Sequence, residues 1–538
     1  MPKLNHIGRI RAALPHALGV LFIASCLGSC AMHNPVTADK PVTVANTAST
    51  ARSANGAFIS WAEHRIDDQG IGGVAIRGGD GLKLADFDRD GRLDVVSVHE
   101  DSHHLRIAYA TGTVDQWQHI TVAQGRSVGA IEDVVVGDLN SDGWPDLVAA
   151  CEDAHLVYFQ NPGLREAPWP RLIPSATQGR GSWLQVAVAD MTDDGKLEVI
   201  GANKGFADVV TPGKAQQVNN ATSLFVIDGD PLADHAWREQ VLVAEGIPNQ
   251  ALAIDIDNDG DPDVLGASRL AYQMWWYLND GVDARGQLQG RKLPINIQAG
   301  FETPKHWRAT ANAFNAEFAD LDADGRLDLI VSVLEFDSPE SRQWQRAGLA
   351  WLKQPEDFKD PWTLHRIGTL LPDWVIGIGA ADIDGDGDLD AVTGGYSGLN
   401  VLKGGYSGAA RSHDDPAVTA ADSVARLAWF ENPGLASQAW VRHDISRRVR
   451  GMFDEFAFHD LNNDGATDII ATRGNSGDYD GVFWLEQRRT DEPERAFTGA
   501  RESDSAGLPL APEDWRRHYQ RAVEFVAPNK AAQKKALD

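Results

Sequence analysis

Cysteine is scarce in this chain: there are 3 in 538 residues, and two of them, Cys26 and Cys30, fall within the first thirty. Cys151 is then left alone, so no intrachain disulfide framework is expected to hold the fold. Positive charge is scarce as well. The 49 Lys and Arg stand against 77 Asp and Glu, a formal net charge of −28, which excludes the basic footprint of a nucleic-acid binder. Helical periodicity is almost missing. The apolar stretch Ala17–Leu27 is too short to cross a bilayer as a stable helix. There is no phosphate-binding loop, no G-x-S-x-G nucleophile elbow and no dinucleotide fingerprint.

What is present begins with a basic segment carrying Lys3, Arg9 and Arg11, followed by that short apolar run. It leads into Ile23-Ala24-Ser25-Cys26 and then Leu27-Gly28-Ser29-Cys30. Both tetrapeptides resemble the lipobox of bacterial lipoproteins. The resemblance implies a signal peptide over 1–30 and lipidation of Cys30, or of Cys26. It also implies an extracytoplasmic protein of the outer membrane that touches the bilayer only through its lipid. Residues 31–55, rich in Ala, Thr, Ser and Asn, read as a flexible tether.

The main signal is a repeat. Seven segments recur: ADFDRDGRLDVV from Ala85, GDLNSDGWPDLV from Gly137, ADMTDDGKLEVI from Ala189, IDIDNDGDPDVL from Ile254, ADLDADGRLDLI from Ala319, ADIDGDGDLDAV from Ala381 and HDLNNDGATDII from His459. A short strand opening on Trp with His three residues on keeps the same phase, as in Trp61-Ala-Glu-His64, Trp362-Thr-Leu-His365 and Trp440-Val-Arg-His443. So do aromatic strands such as LVYFQNPG from Leu156 and LAWFENPG from Leu427. Each unit is thus four short strands, and seven such units predict an all-β, seven-bladed propeller over 56–486. The strand entering each aspartate loop is A, the one leaving it B, the aromatic strand C and the Trp strand D. The first D strand precedes the first A, so it is expected to complete the last blade and hide its edge. Residues 487–538 fall outside this ring, with one amphipathic helix expected over Pro512–Val526.

The spacing D-x-[D/N/T]-x-D-G-x-x-[D/E] sets oxygen ligands at positions one, three, five and nine of a tight loop, with a turn glycine at six. Hard cations such as calcium take six to eight oxygens. The ligand sets are Asp86, Asp88, Asp90 and Asp94; Asp138, Asn140, Asp142 and Asp146; Asp190, Thr192, Asp194 and Glu198; Asp255, Asp257, Asp259 and Asp263. They continue with Asp320, Asp322, Asp324 and Asp328; Asp382, Asp384, Asp386 and Asp390; and Asp460, Asn462, Asp464 and Asp468. Asn140, Thr192, Asn462 and Glu198 are expected to weaken their sites. The loops lack the position-twelve glutamate of an EF-hand. They resemble instead the FG-GAP or VCBS repeat of integrin-type propellers, which implies structural calcium between strands A and B.

The opposite face, formed by B–C and D–A loops, collects Arg77, Arg126, Arg180, Lys204, Arg269, Lys305, Arg308, Arg450 and Arg473. With them come His99, His103, His104, His155 and His306, and the aromatics Trp183, Tyr272, Trp307, Trp374 and Tyr396. Arginines that clamp carboxylates beside aromatics that stack on sugars point to an acidic carbohydrate. Acids there, such as Glu132, Asp133, Asp373 and Glu455, offer the alternative that these cations are simply paired. His99-Glu100-Asp101-Ser102-His103 matches H-E-x-x-H, but strand patterns flank it, so it reads as a loop and not as a zinc helix. A histidine-bound divalent metal at the channel mouth stays open. At repeat level the chain resembles aldos-2-ulose dehydratase and rhamnose–glucuronate lyase propellers, which implies β-elimination on acidic sugars. His99, His103, His306, Arg308, Tyr396 and Arg473 are the candidate catalytic residues. The competing reading is a non-catalytic, monomeric glycan- or protein-binding module.

Overall fold

The computed structural model describes residues 48–501, apart from 154, 206–219, 245, 269–272, 301–307, 337–345, 371–372, 397–424, 435–438, 449–451 and 475–479. Both lipobox cysteines and the helix expected over Pro512–Val526 lie outside the described residues. So do Arg269, Tyr272, Lys305, His306, Trp307 and Arg450.

Seven antiparallel sheets follow one another along the chain. Their A strands are Gly79–Ala85, Ile131–Gly137, Ser182–Ala189, Pro248–Ile254, Arg308–Ala319, Trp374–Ala381 and Phe456–His459. Each A strand lies against the next, and the seventh lies against the first. The described chain is therefore a seven-bladed β-propeller, all-β, with only three short 3-10 turns between strands.

The core is not one central mass but seven layers, each pressed between two consecutive blades. Val96 and Leu105 of blade one meet Val134 and Leu147 of blade two. Leu82 of blade one meets Ile470 and Trp484 of blade seven. Because both faces of a blade are covered in this way, strand B is buried throughout, as in Asp94–His99 and Asp146–Cys151. That is why these strands read as unbroken apolar runs and not as alternating ones.

The recurring Trp-x-x-His has a packing explanation. Strands C and D pair so that His64 opposes Trp484, His365 opposes Trp351 and His443 opposes Trp429. The rings stack at 4.3, 4.6 and 4.3 Å. These histidines therefore brace the outer part of a blade, far along the sheet from strand A.

Blade seven is assembled from both ends of the described chain. Its strands Phe456–His459, Asp468–Arg473 and Gly481–Thr490 are followed by Phe58–Asp67, which pairs antiparallel with the third. Two details depart from the sequence boundaries. The third strand runs past residue 486, and Phe497–Thr498 adds a fifth, parallel strand against Trp61 and Ala62. Residues 48–53 of the supposed tether also pack: the Ser49 amide donates to the Glu494 carbonyl at 2.7 Å, and Ala51 is buried. An outermost strand exposes unpaired amides and carbonyls, and these short segments cover part of that edge.

Candidate functional site

Each A strand runs into an aspartate loop, and the seven loops share one backbone. Position four has positive φ in all of them: Arg89 at 57°, Ser141 at 59°, Asp193 at 53°, Asn258 at 59°, Ala323 at 55°, Asn463 at 59° and Gly385 at 79°. Left-handed residues other than glycine persist only where surrounding bonds over-determine them. Those bonds start at position one, whose carboxylate accepts the amides of positions five and six. Asp86 receives Asp90 at 3.0 Å and Gly91 at 2.8 Å, and Asp320 receives Asp324 at 3.0 Å and Gly325 at 2.9 Å. The same pair recurs at Asp138, Asp190, Asp255, Asp382 and Asp460.

Carboxylate oxygens of positions one, three and five gather within 4.8 Å of one another in the loops of Asp86, Asp255 and Asp320, and those of Asp382, Asp384 and Asp390 do so in the sixth. All-oxygen donor sets on a preformed turn fit a hard cation such as calcium. Where Asn140, Thr192 and Asn462 stand at position three, three carboxylates are not available from positions one, three and five.

Position nine plays a part that spacing alone did not reveal. It is buried, and its oxygens bind backbone amides from position two of the loop and from the end of strand C. Asp328 accepts Leu321 at 3.2 Å through Oδ2 and Gln354 at 2.9 Å through Oδ1. Asp94, Asp263, Asp390 and Asp468 repeat this double clamp. Asp146 uses the Asn161 amide and the Tyr158 hydroxyl. Burial, the largest cause, pushes Asp94, Asp263, Asp328 and Asp468 up to about 7.

The clamped C-strand residue then reaches across to the preceding blade. The side-chain amides of Asn161, Asn279, Gln354, Asn432 and Gln487 donate to the carbonyls of Phe87, Met191, Ile256, Leu321 and Ile383, each at position two of the neighbouring loop. Ala110 and Asp228 stand at this position in blades one and three, so this latch is not repeated at those seams.

The other face centres on carboxyls. Oxygens of Glu100, Glu132 and Glu152 lie within 4.8 Å of one another. The Glu100 amide donates to Asp80 Oδ2 at 3.3 Å, and Asn315 donates to Asp454 Oδ1 at 3.0 Å. Burial first, then the neighbouring acid Glu100, raises Asp80 well above the usual carboxylate range; Glu100 is raised by burial and then by Glu132. Burial also lifts Asp454 to about 7 and Asp133 to about 6. Tyr396 is pushed up to about 12, by burial and then by Glu100 and Asp101.

Two of the cations proposed for this face are engaged: Lys204 pairs with Glu152 and Arg180 with Glu239. Lys83, in the first A strand, pairs with Glu455. Arg473 is only 2 % exposed, which places it inside blade seven and not at an open mouth. Trp183 is fully buried against Phe225, a core residue and not a stacking platform. Arg308 and Trp374 begin A strands, and their side chains lie outside the description.

His99 ends a B strand, is 0 % exposed, and shares a hydrogen bond with Ser97 at 3.0 Å. Burial and then Arg106 push it down to about 3. It is therefore a neutral core group and not an accessible base. His99 and Arg473 do come near each other, since His99 pairs with Gly79 and the Arg473 carbonyl packs on that same glycine. His103 differs. It sits in a loop at φ 53°, half-buried, and its Nδ1 accepts the Ala130 amide at 2.7 Å. The H-E-x-x-H segment is accordingly a strand end and a turn, with no helix.

Sequence reasoning missed Asp80, Glu152 and Asp454. A signal existed, since Asp80, Glu132, Asp133, Asp454 and Glu455 all lie at or just before the start of an A strand, where the chain enters the ring.

Three segments match the FG-GAP-like repeat family: residues 86–149, 138–201 and 255–331. They include the first five aspartate loops, and each match begins on a lead aspartate. None of the curated proteins matches. Among solved structures, the chain is similar to one titled "Crystal structure of BBS1N in complex with ARL6DN, soaked with lead". The identity is 10%, over 81% of this chain and 98% of that one, with a TM-score of 0.38. At that score the likeness decides nothing further about this chain.

Proposed function

We propose, for a chain whose FG-GAP-like repeats form a seven-bladed β-propeller, that it is a calcium-braced binding module acting outside the cytoplasm. The observation that carries this reading is the loop geometry. Seven turns spend their first carboxylate on organising their own backbone, and in the loops of Asp86, Asp255 and Asp320 carboxylate oxygens of positions one, three and five stay grouped within 4.8 Å. Calcium there would tie strand A to strand B in each blade. A lipid on Cys30, or on Cys26, would hold the module at a bacterial outer membrane.

The ligand would meet the opposite face, around Glu100, Glu132 and Glu152. Carboxylates accept hydrogen bonds from sugar hydroxyls. A uronate would bring a further negative charge to that cluster, and Arg180 and Lys204 are already paired with acids. A neutral, hydroxyl-rich glycan therefore suits the mouth better than an acidic one. The test is twofold. Excess chelator should lower the melting temperature by many degrees, because each ion bound only by the folded state adds about 2.7 kcal/mol at a hundredfold its Kd. Glutamine at Glu100 and Glu132 should weaken retention on immobilised neutral glycans. An unchanged melting temperature in chelator would sink the calcium reading.

One observation favours a second reading, β-elimination on an acidic sugar. With Nδ1 of His103 accepting an amide, the neutral ring keeps its proton on Nε2, which can donate a hydrogen bond to the negative charge that develops on an oxygen during elimination. The assay is the rise in ultraviolet absorbance as an unsaturated uronate forms. His103→Ala should lower turnover about a hundredfold, and a wild type that forms no double bond on glucuronate-containing glycans rules this reading out.

A further inference from the structure

One register position decides how much charge an aspartate loop already holds. It is the last C-strand residue before the clamped residue, and in blades five and seven it reaches position three of the loop. In blade five it is Lys353, whose ammonium contacts the Asp322 carboxylate and lies 2.8 Å from Asp324 Oδ2. In blade seven it is Glu486, whose Oε1 accepts the Asn462 amide at 3.4 Å. Blade four has Leu278, which is buried and apolar. Loop one takes its cation from the next blade. Arg165 contacts the Asp88 carboxylate, lies 2.7 Å from Asp90 Oδ2, and sits over the Tyr109 ring at 5.0 Å. In loop four, among the described residues, no Lys or Arg forms an ion pair with Asp255, Asp257 or Asp259. Arg291 pairs with Asp280 instead, and Asp257 Oδ1 is buried without a hydrogen-bond partner.

Taking the aspartate loops as calcium sites, we propose that Lys353 and Arg165 are tethered cations that compete with calcium for loops five and one. Loops one, four, five and six each carry four aspartates, so their composition ranks them equal. The two side chains break that tie. A dication entering loop five has to displace the Lys353 ammonium from Asp322 and Asp324, while one entering loop four displaces no side-chain cation. Loop four therefore fills ahead of loops one and five, which fill at higher calcium. The propeller then has graded sites: one class that stays loaded, and a second that responds to the calcium concentration outside the cell.

The experiment is calcium titration of the whole chain by calorimetry, comparing wild type with Lys353→Met, Arg165→Met and the double variant. Methionine keeps the apolar stem and removes the charge. Each single variant should move one site from the weak class to the tight class, tightening it on the order of tenfold or more, since a unit charge a few ångströms from a dication has at least that effect even at water-like screening. Lys353→Arg should leave the isotherm as in wild type. Unchanged isotherms in both methionine variants, with calcium still bound, overturn the tethered-cation proposal and leave the calcium reading standing. A wild type that takes up no calcium overturns the calcium reading itself. If Lys353→Met fails to fold, Lys353→Gln and the independent Arg165→Met carry the same comparison.

Discussion

Asp328→Asn separates the two jobs that an aspartate loop does. The side chain is 0 % exposed, and its two oxygens accept the Leu321 amide at 3.2 Å and the Gln354 amide at 2.9 Å. Asparagine has the same shape, but only one of its two terminal atoms accepts. One backbone amide would lose its partner and face an N–H donor. Losing a charge-assisted bond costs about 1.5–3 kcal/mol, and an orphaned buried donor about 1–3 kcal/mol, with overlap between the two, so about 3 kcal/mol is expected. The Gln354 side chain also donates to the Ile256 carbonyl of blade four at 3.2 Å, so the loss should spread to the seam between blades four and five. Asp324→Asn is the control. That carboxylate is exposed and paired with Arg326 and Lys353, and exposed pairs contribute about 0–1 kcal/mol. Urea unfolding in excess chelator reads the clamp alone; unfolding in excess calcium reads clamp plus ion. Asp328→Asn should be destabilised by about 3 kcal/mol in both conditions, and Asp324→Asn chiefly in calcium. Equal behaviour of the two variants in chelator would refute the assignment of position nine as a clamp.

Two further outcomes are expected. Trp61 is 3 % exposed in the strand that closes blade seven, so Trp61→Ala should cost about 3–5 kcal/mol. Deletion through Asp67 should bare the edge of Gly481–Thr490 and cause aggregation; a soluble monomer from that deletion would contradict the pairing. Along the A strands, burial lifts Asp454, just before the seventh, and Glu317, near the end of Arg308–Ala319, to about 7, and Asp133 to about 6. The folded state then holds more protons than the unfolded one between about pH 4 and 7, so this contribution is full at low pH and is lost as pH rises through those values. The urea midpoint of calcium-saturated protein should fall from about pH 5.5 to about pH 8, and less steeply in Asp454→Asn. A midpoint that rises over that range would overturn the reading.

Much of this was legible in the residues because the repeat is strict. Seven copies of one loop give the blade number, the A–B turn and the order of strands. The phase of Trp-x-x-His places the strand at Trp61 ahead of the first loop, so one blade has to borrow it. Unbroken apolar B strands announce burial on both faces. These are local rules, and each repeat obeys them independently of the others.

Contacts between residues distant in the chain could not be read that way. Position nine looks like a fourth ligand by spacing, but only the fold brings the Gln354 amide to Asp328. Nothing in the repeat singles out Arg165, and only the ring sets it on Asp88 of the blade before. His99 and Arg473 read as mouth residues until pairing draws them inside, and Asp80, Glu100 and Asp454 meet only because blades one and seven are neighbours. The sequence by itself determined the repeat, the blade count and the turn chemistry, because these depend on side chains a few positions apart. The tertiary structure decided which charges face each other, since ring closure places residues hundreds of positions apart within a few ångströms.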